Sequence, residues 1–302
     1  MKKIGIAITD ADDWTSKAMF DSVRKKGIEP CVFNLRDAEI SIGAGLDYKV
    51  NGTDLTGLDA IIVRDMGAGK NDAVTFRFDI LRQLEKEGLL IANPTSAIQN
   101  AANKCHSSYL FSRAGLPAPR TKIVQDTDAA MKVMESFNDA VLKPVFGYKG
   151  IGIYRIKNGE LIRPDGTKDP DGPEELVSSL LDEKGMLYIQ EFVENSGRDT
   201  RAFVVDGKVI GAIYREAPRG WWLNNLSQGG SADRCTLTPE QKEICEKAAQ
   251  TVGAIFAGVD IIEGPKGCML LEINGTPSGA GIYKAWNINV ADHIVEAVLK
   301  RL

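Results

Sequence analysis

Through the first ninety-odd residues, short apolar runs alternate with stretches whose apolar positions recur every three or four residues. KIGIAIT, PCVFNL, DAIIVRD and LLIANP have strand length and many β-branched residues, whereas Trp14 to Lys26 and Phe76 to Glu87 carry a helical period. Strand and helix in alternation predict a parallel sheet with helices on both faces, because a parallel connection needs a crossover long enough to hold a helix. No GxGxxG follows the first strand. The chain reads TDADDW there, and its aspartates would repel a pyrophosphate, so a dinucleotide at that turn is not expected.

Ser96 to Ala114 reads as one long helix containing Lys104, stopped by Gly115 and Pro117. Beyond it the period becomes two residues in TKIVQ, AVLKPV, GIYRI and MLYIQEFV, with helices predicted at Asp128 to Ser136 and Pro173 to Glu183. A third stretch brings a hairpin at Asp206-Gly207, a polar loop from Ala217 to Cys235, a helix from Pro239 to Phe256, another hairpin and a terminal helix. The expected organisation is an α/β chain in three units: a parallel sheet over 1–95, then α+β units over 96–193 and 194–302.

Composition narrows the chemistry. At 302 residues, 43% hydrophobic and 26% charged, the chain can bury a core and is not disordered. A net charge of −4 gives no footprint for nucleic acid or an anionic membrane, and no apolar run approaches the ~20 residues of a membrane span. Ile4 to Ile8 is too short for a signal segment. Five scattered cysteines without CxxC argue against disulfides or zinc, and a reducing cytoplasm is expected. With His106 and His293 as the only histidines, any catalysis must rest on carboxylates, Lys, Arg and backbone.

Three stretches carry such groups. In GVDIIEGPKGCMLLEIN, a three-residue loop Pro265-Lys266-Gly267 pairs Gly264 with Cys268 and so sets Asp260 opposite Glu272, with Asn274 on the same face. Three hard oxygens suit Mg²⁺ or Mn²⁺ bearing substrate phosphates. The alternative is a solvated sheet face, opposed by the apolar Ile261, Ile262, Leu270, Leu271 and Ile273. In AVLKPVFGYKGIGIYRI, a strand delivers Lys143 into a turn with Gly147, Gly150 and Gly152, where backbone N–H groups could cradle phosphate; a plain glycine-rich hairpin is the alternative. In the third, Arg201 and Arg215 fall on adjacent strands with Arg198 and Arg219 nearby. They form either an anion site or ion pairs with Asp199, Glu194 and Glu216. Trp221 and Trp222, beside Asn224 and Asn225, are either a substrate wall or the anchor of a long loop.

Taken in order, Lys104, Lys143 with its glycine turn, QEFV, DTR, NNLSQGG, GVD and LEINGTP resemble the ATP-grasp superfamily. Within it they are similar to the ribosomal-protein-S6-modifying type of α-L-glutamate ligase. The resemblance implies a Rossmann-like N-terminal sheet followed by two α+β subdomains clamping ATP. It implies phosphate contacts from Lys104 and Lys143, adenine read by the backbone of Glu191, Phe192 and Val193, and ribose held by Asp199. Asn225, Arg201 and Arg215 would lie near the phosphates and the reacting carboxylate, with Lys143 sharing the catalytic work. Two Mg²⁺ or Mn²⁺ ions would sit on Asp260, Glu272 and Asn274. The implied reaction phosphorylates an acceptor carboxylate and lets the glutamate amine displace the phosphate, under lids at Phe146 to Gly152 and Arg219 to Ser231.

Ser227-Gln228 stands where such ligases commonly carry His-Arg, which puts a protein acceptor in question. IVRDMG and FRFDIL are similar to the archaeal branch that glutamylates pterin or deazaflavin coenzymes such as tetrahydromethanopterin. Small-molecule substrates and a homo-oligomer, dimer or tetramer, are therefore expected, with Arg198, Arg219, Trp221 and Trp222 facing the substrates and a tryptophan stacking on the acceptor ring. Other readings are another ATP-grasp ligase acting on a ribosomal or carrier protein, amino-adipate or D-alanine. A nucleotide sensor and a nicotinamide-dependent oxidoreductase also remain.

Overall fold

The computed structural model describes residues 2–43, 45–147, 150–224 and 231–302. Four strands, Pro30–Phe33, Ile4–Ala7, Ala60–Val63 and Leu90–Ala92, lie in that order in a parallel sheet. Ile4–Ala7 and Ala60–Val63 are buried at every position, as inner parallel strands covered on both faces are. Asp13 caps the helix Trp14–Lys25 by accepting from the Ser16 N–H, and the helix Asn71–Lys86 begins five residues before the expected Phe76. A small antiparallel sheet, Ala38–Ile42, Leu46–Val50 and Thr53–Asp54, is absent from the sequence prediction.

Two five-stranded antiparallel sheets follow. The central one runs Glu160–Ile162, Tyr154–Lys157, Asp139–Lys143, Leu187–Glu191, Thr121–Val124; the C-terminal one runs Ser231–Arg234, Lys208–Glu216, Arg198–Val205, Phe256–Gly264, Gly267–Asn274. Its edge strand Ser231–Arg234 falls inside the stretch expected to be loop. Thr238 and Gln241 form a reciprocal capping box ahead of the helix Pro239–Val252, and Gly253, in the left-handed region at φ 81°, ends it before Phe256 opens the next strand.

The single helix expected from Ser96 to Ala114 is two, Thr95–Ala102 and Lys104–Arg113. Asn103, extended at φ −90° and ψ 99°, ends the first and caps the second through the His106 N–H. The break sets Lys104 at the start of a helix, with its N–H bonded to the Val145 carbonyl at 3.2 Å.

The cores cross the three sequence segments. Ile4, Ile6 and Met19 pack with Phe203, Phe256, Ile294 and Val298, so the terminal helix Val290–Leu299 ties the first strand to the C-terminal sheet. Ala101, Phe111 and Leu116 join Ala248, Val259 and Leu270 on that sheet's other face. Among the described residues no helix is long and apolar enough to cross a membrane.

Candidate active site

Period-two alternation decides what faces the cleft between the two antiparallel sheets. In the register, Asp199 pairs with Arg215, Arg201 with Asp260, and Asp260 with Glu272, so these five side chains share one face. The route to that register differs from expectation. Gly264 pairs with Gly267 across Pro265 and Lys266, one residue less than predicted, and a bulge that leaves Leu271 unmatched restores the Asp260–Glu272 pairing.

Asp260, 2% exposed, is gripped by Arg201 through both Nε and Nη2 and by Arg215 Nη2 at 2.9 Å. Arg215 also holds both oxygens of Asp199 at 2.7 Å. Burial alone would raise the Asp260 carboxyl, but the two guanidinium groups overcome it and hold the group well below the usual carboxylate range. Arg215 is likewise more firmly protonated than an ordinary arginine: burial opposes its charge, and the charges of Asp260 and Asp199 outweigh that. Such pairs are worth keeping only when both partners are present.

The two lysines approach from the central side. Lys104 Nζ lies 3.3 Å from Glu272 Oε2, and Lys143 Nζ donates to Gln190 Oε1 at 2.7 Å. Gln190 in turn donates to the Tyr188 hydroxyl at 3.1 Å, and that hydroxyl meets Ser108 Oγ at 2.8 Å, so a buried chain of polar groups fixes the lysine's head. Burial pushes the Lys143 ammonium down to about 8, helped by Lys104 and opposed by Glu272. Gln190 was missed at the sequence level, although period two places it on the Lys143 face of the sheet.

The cleft is lined by Lys104, Lys143, Gly147, Gly150, Asp199, Arg215, Asp260 and Glu272 at its charged end. Glu191, Phe192, Val193 and Trp222 line the other end. There Arg155 lies 3.5 Å over the Phe192 ring and Trp222 meets Phe192 edge-on at 6.3 Å, its Nε1 donating to the Arg163 carbonyl at 2.7 Å. One end of the cleft is thus aromatic and the other charged.

Several expected roles change. Asp199 gives both carboxylate oxygens to Arg215 and so braces an arginine, with its remaining lone pairs at the cleft. The N–H groups of Glu191 and Phe192 are spent on the carbonyls of Arg120 and Asp139, which leaves Val193 as the remaining N–H of that trio. Arg198 is three residues from Arg201 and hence on the opposite face, over the Tyr214 ring at 4.0 Å and near Glu216, away from the cleft. Arg219 is exposed and Trp221 bonds back to Pro218; neither lines the cleft. Trp222 does line it, at the aromatic end beside Phe192. Asn225, Ser227 and Gln228 lie outside the described residues, as do Tyr148 and Lys149 within one expected lid and 225–230 within the other.

Among the described residues no three His, Cys, Asp or Glu side chains gather as a metal cage. Asp260, Glu272 and Asn274 offer instead two carboxylates and an amide oxygen, on Phe256–Gly264 and Gly267–Asn274. That donor set fits a hard cation arriving with phosphate oxygens of its own. Because Asp260 already carries two guanidinium groups, Glu272 has the less committed oxygens, while the Asn274 amide oxygen also accepts from the Thr276 N–H at 2.8 Å.

Residues 101–298 match the RimK-like ATP-grasp domain. The chain is 54% identical to a tetrahydromethanopterin:alpha-L-glutamate ligase of Methanosarcina acetivorans, over 98% of each chain. It is 35% identical to the protein of the same name from Methanocaldococcus jannaschii, over 99% of this chain and 98% of that one. Similar folds occur in D-cycloserine synthetase DcsG, at TM-score 0.74 and 16% identity over 99% of both chains. They occur also in the ATP-grasp ligase PsnB with its minimal precursor, at TM-score 0.73 and 20% identity over 100% of this chain and 99% of that one.

Proposed function

This chain belongs to the RimK-like ATP-grasp family and is a ligase of that type, and from that premise we propose that it joins L-glutamate to the carboxylate of a pterin coenzyme, tetrahydromethanopterin, at the expense of ATP. What carries the choice of acceptor is the 54% identity over nearly the whole of both chains. The cleft supports the chemistry. Its aromatic end suits a purine and its charged end suits a triphosphate, the two joined by one continuous surface.

Lys104 and Lys143 would bind the phosphates, with the backbone at Gly147 and Gly150 beside them. Asp260, Glu272 and Asn274 would hold Mg²⁺ or Mn²⁺, which when bound offsets phosphate charge. Arg201 and Arg215 are largely neutralised by Asp199 and Asp260, so their contribution is orientation: a rigid guanidinium lattice that fixes where charge can develop. No Ser-His or Cys-His pair is needed, because a carboxylate phosphorylated in line is already activated toward an amine. Gly147, Gly150 and Ile151 and the residues Trp222, Leu223 and Asn224 border the cleft, where keeping water out protects the acylphosphate. All five cysteines are free thiols, which suits the cytoplasm as its place of work.

An ADP-release screen across pterin, deazaflavin and acidic-peptide acceptors, each with and without L-glutamate, tests this. Release that requires both glutamate and the pterin is expected. Release that is faster with a peptide, or independent of glutamate, would overturn it.

A further inference from the structure

Lys104 and Lys143 reach the charged end of the cleft from two different cores. The helix Lys104–Arg113 is built into the C-terminal one, where its Phe111 packs with Ala248, Val259 and Leu270. Lys143 ends the strand Asp139–Lys143, whose Ala140 and Leu142 pack with Met134, Leu187 and Ile189 in the core of the central sheet. The spacing of two cations carried on separate cores is set where those cores touch.

One touching point is main chain, the Lys104 N–H on the Val145 carbonyl at 3.2 Å. Another is a pair of side chains, Ser108 Oγ at 2.8 Å from the Tyr188 hydroxyl. Local periods put that pair beside the lysines. Ser108 follows Lys104 by four residues, about one helical turn along the same face. In the sheet register Tyr188 stands opposite Lys143, and Gln190 opposite Thr121, so these four side chains share the face turned away from Leu187 and Ile189.

Donors and acceptors on that face leave one orientation for each group. Thr121 gives its hydroxyl hydrogen to the Pro119 carbonyl at 3.1 Å, so toward Gln190 Nε2, at 3.3 Å, it accepts. Gln190 Nε2 also faces the Tyr188 hydroxyl, which turns Gln190 Oε1 to the Lys143 ammonium. Tyr188 accepts from Gln190 and keeps its own proton for Ser108, since burial pushes the phenol above its ordinary range. Tyr188 is 1% exposed and Gln190 3%, so water cannot stand in for these partners without opening the junction.

We infer that Tyr188 and Ser108 are positioning residues for ATP: their hydrogen bond between the two cores sets the spacing of Lys104 and Lys143, and with it the fit of the lysine pair to neighbouring phosphate groups. The inference rests on the reading of both lysines as phosphate ligands. Glu272 steadies the head of Lys104 and Gln190 that of Lys143, and the Ser108–Tyr188 contact ties one holding to the other. Neither Ser108 nor Tyr188 lines the cleft, so an effect of either on ATP passes through the lysines.

Isothermal titration of ATP with Mg²⁺ into the full chain tests this through a double-mutant cycle. Tyr188→Phe should weaken ATP about fivefold, the scale of one neutral hydrogen bond, and Ser108→Ala by a similar factor. Ser108→Thr, which keeps a hydroxyl, should stay within about twofold of the parent. In a Lys143→Ala background, Tyr188→Phe should change the affinity by less than about twofold, because the lysine it acts through is gone. An equal effect in both backgrounds is that of general loosening and overturns the inference, as does parental affinity in both Tyr188→Phe and Ser108→Ala. If Tyr188→Phe does not fold, Ser108→Ala takes its place in the cycle with the same two outcomes. Parental affinity in Lys143→Ala itself is a different failure: the reading of that lysine as a phosphate ligand falls, and the inference falls with it.

Discussion

Arg201 and Arg215 in the cleft and Arg36 and Arg77 against the loop that follows Ala60–Val63 are two arginine pairs with opposite partners. The first pair is locked to Asp199 and Asp260; the second touches only carbonyls. An arginine whose charge is met by a buried carboxylate is scaffolding, since it cannot turn to a ligand without stranding its partner. An arginine held by carbonyls has no buried carboxylate partner to strand. The same side chain thus braces carboxylates in one place and backbone in the other.

The largest effect should come from breaking the locked pair. Asp260→Asn removes the charge shared by two buried guanidinium groups and should cost about 3–5 kcal/mol of stability as well as turnover. Arg77→Met removes a buried guanidinium bonded only to the Gly67 and Ala68 carbonyls and should cost less, about 1–3 kcal/mol. Thermal melts of the two variants side by side check this, and equal losses would erase the distinction. Glu272→Gln, at a half-exposed site, is the cleaner probe of metal dependence, with lost turnover on an unaltered melt expected.

Lys143 is next. Lys143→Ala should weaken ATP about ten- to a hundredfold and slow turnover as well, the loss of one charged contact to phosphate. Because burial lowers the ammonium to about 8, ATP affinity of the free protein should fall as pH rises through that value. Lys143→Arg, which stays charged, should flatten the profile. The sign for stability is opposite: above about 8 and up to the ordinary 10.5 the unfolded chain binds more protons, so the free protein should gain stability with pH in that window. Isothermal titration and melts between pH 7 and 10 read both.

The aromatic end gives a smaller effect. Trp222→Ala should weaken ATP about tenfold, as loss of a stacking wall does, and leave the acceptor KM in place, while Trp221→Ala should do little. Finally, Asn103→Ala should cost ~1 kcal/mol of stability through the lost cap, with a modest rise in the ATP KM as Lys104 loses its fixed start.

Much of this geometry was legible because strands obey a period of two. Asp260 and Glu272 face one another as counted, though a shorter turn and a compensating bulge produced the pairing, and neither was visible in the residue string. The same rule, applied to Arg198 and Arg201, would have put them on opposite faces and removed Arg198 from the substrate group. The break at Asn103 is hidden in the sequence by the helical period on either side of it. What sequence could not show is long-range: Arg64 reaching Thr276 depends on the N-terminal and C-terminal sheets being brought together.

The most direct test labels the acceptor carboxylate with oxygen-18 and follows one complete reaction with ATP and L-glutamate. The account predicts that one labelled oxygen leaves in inorganic phosphate for each amide formed, alongside one ADP, because the carboxylate is phosphorylated before the amine attacks. Label retained wholly in the pterin product, or released in AMP, would contradict it.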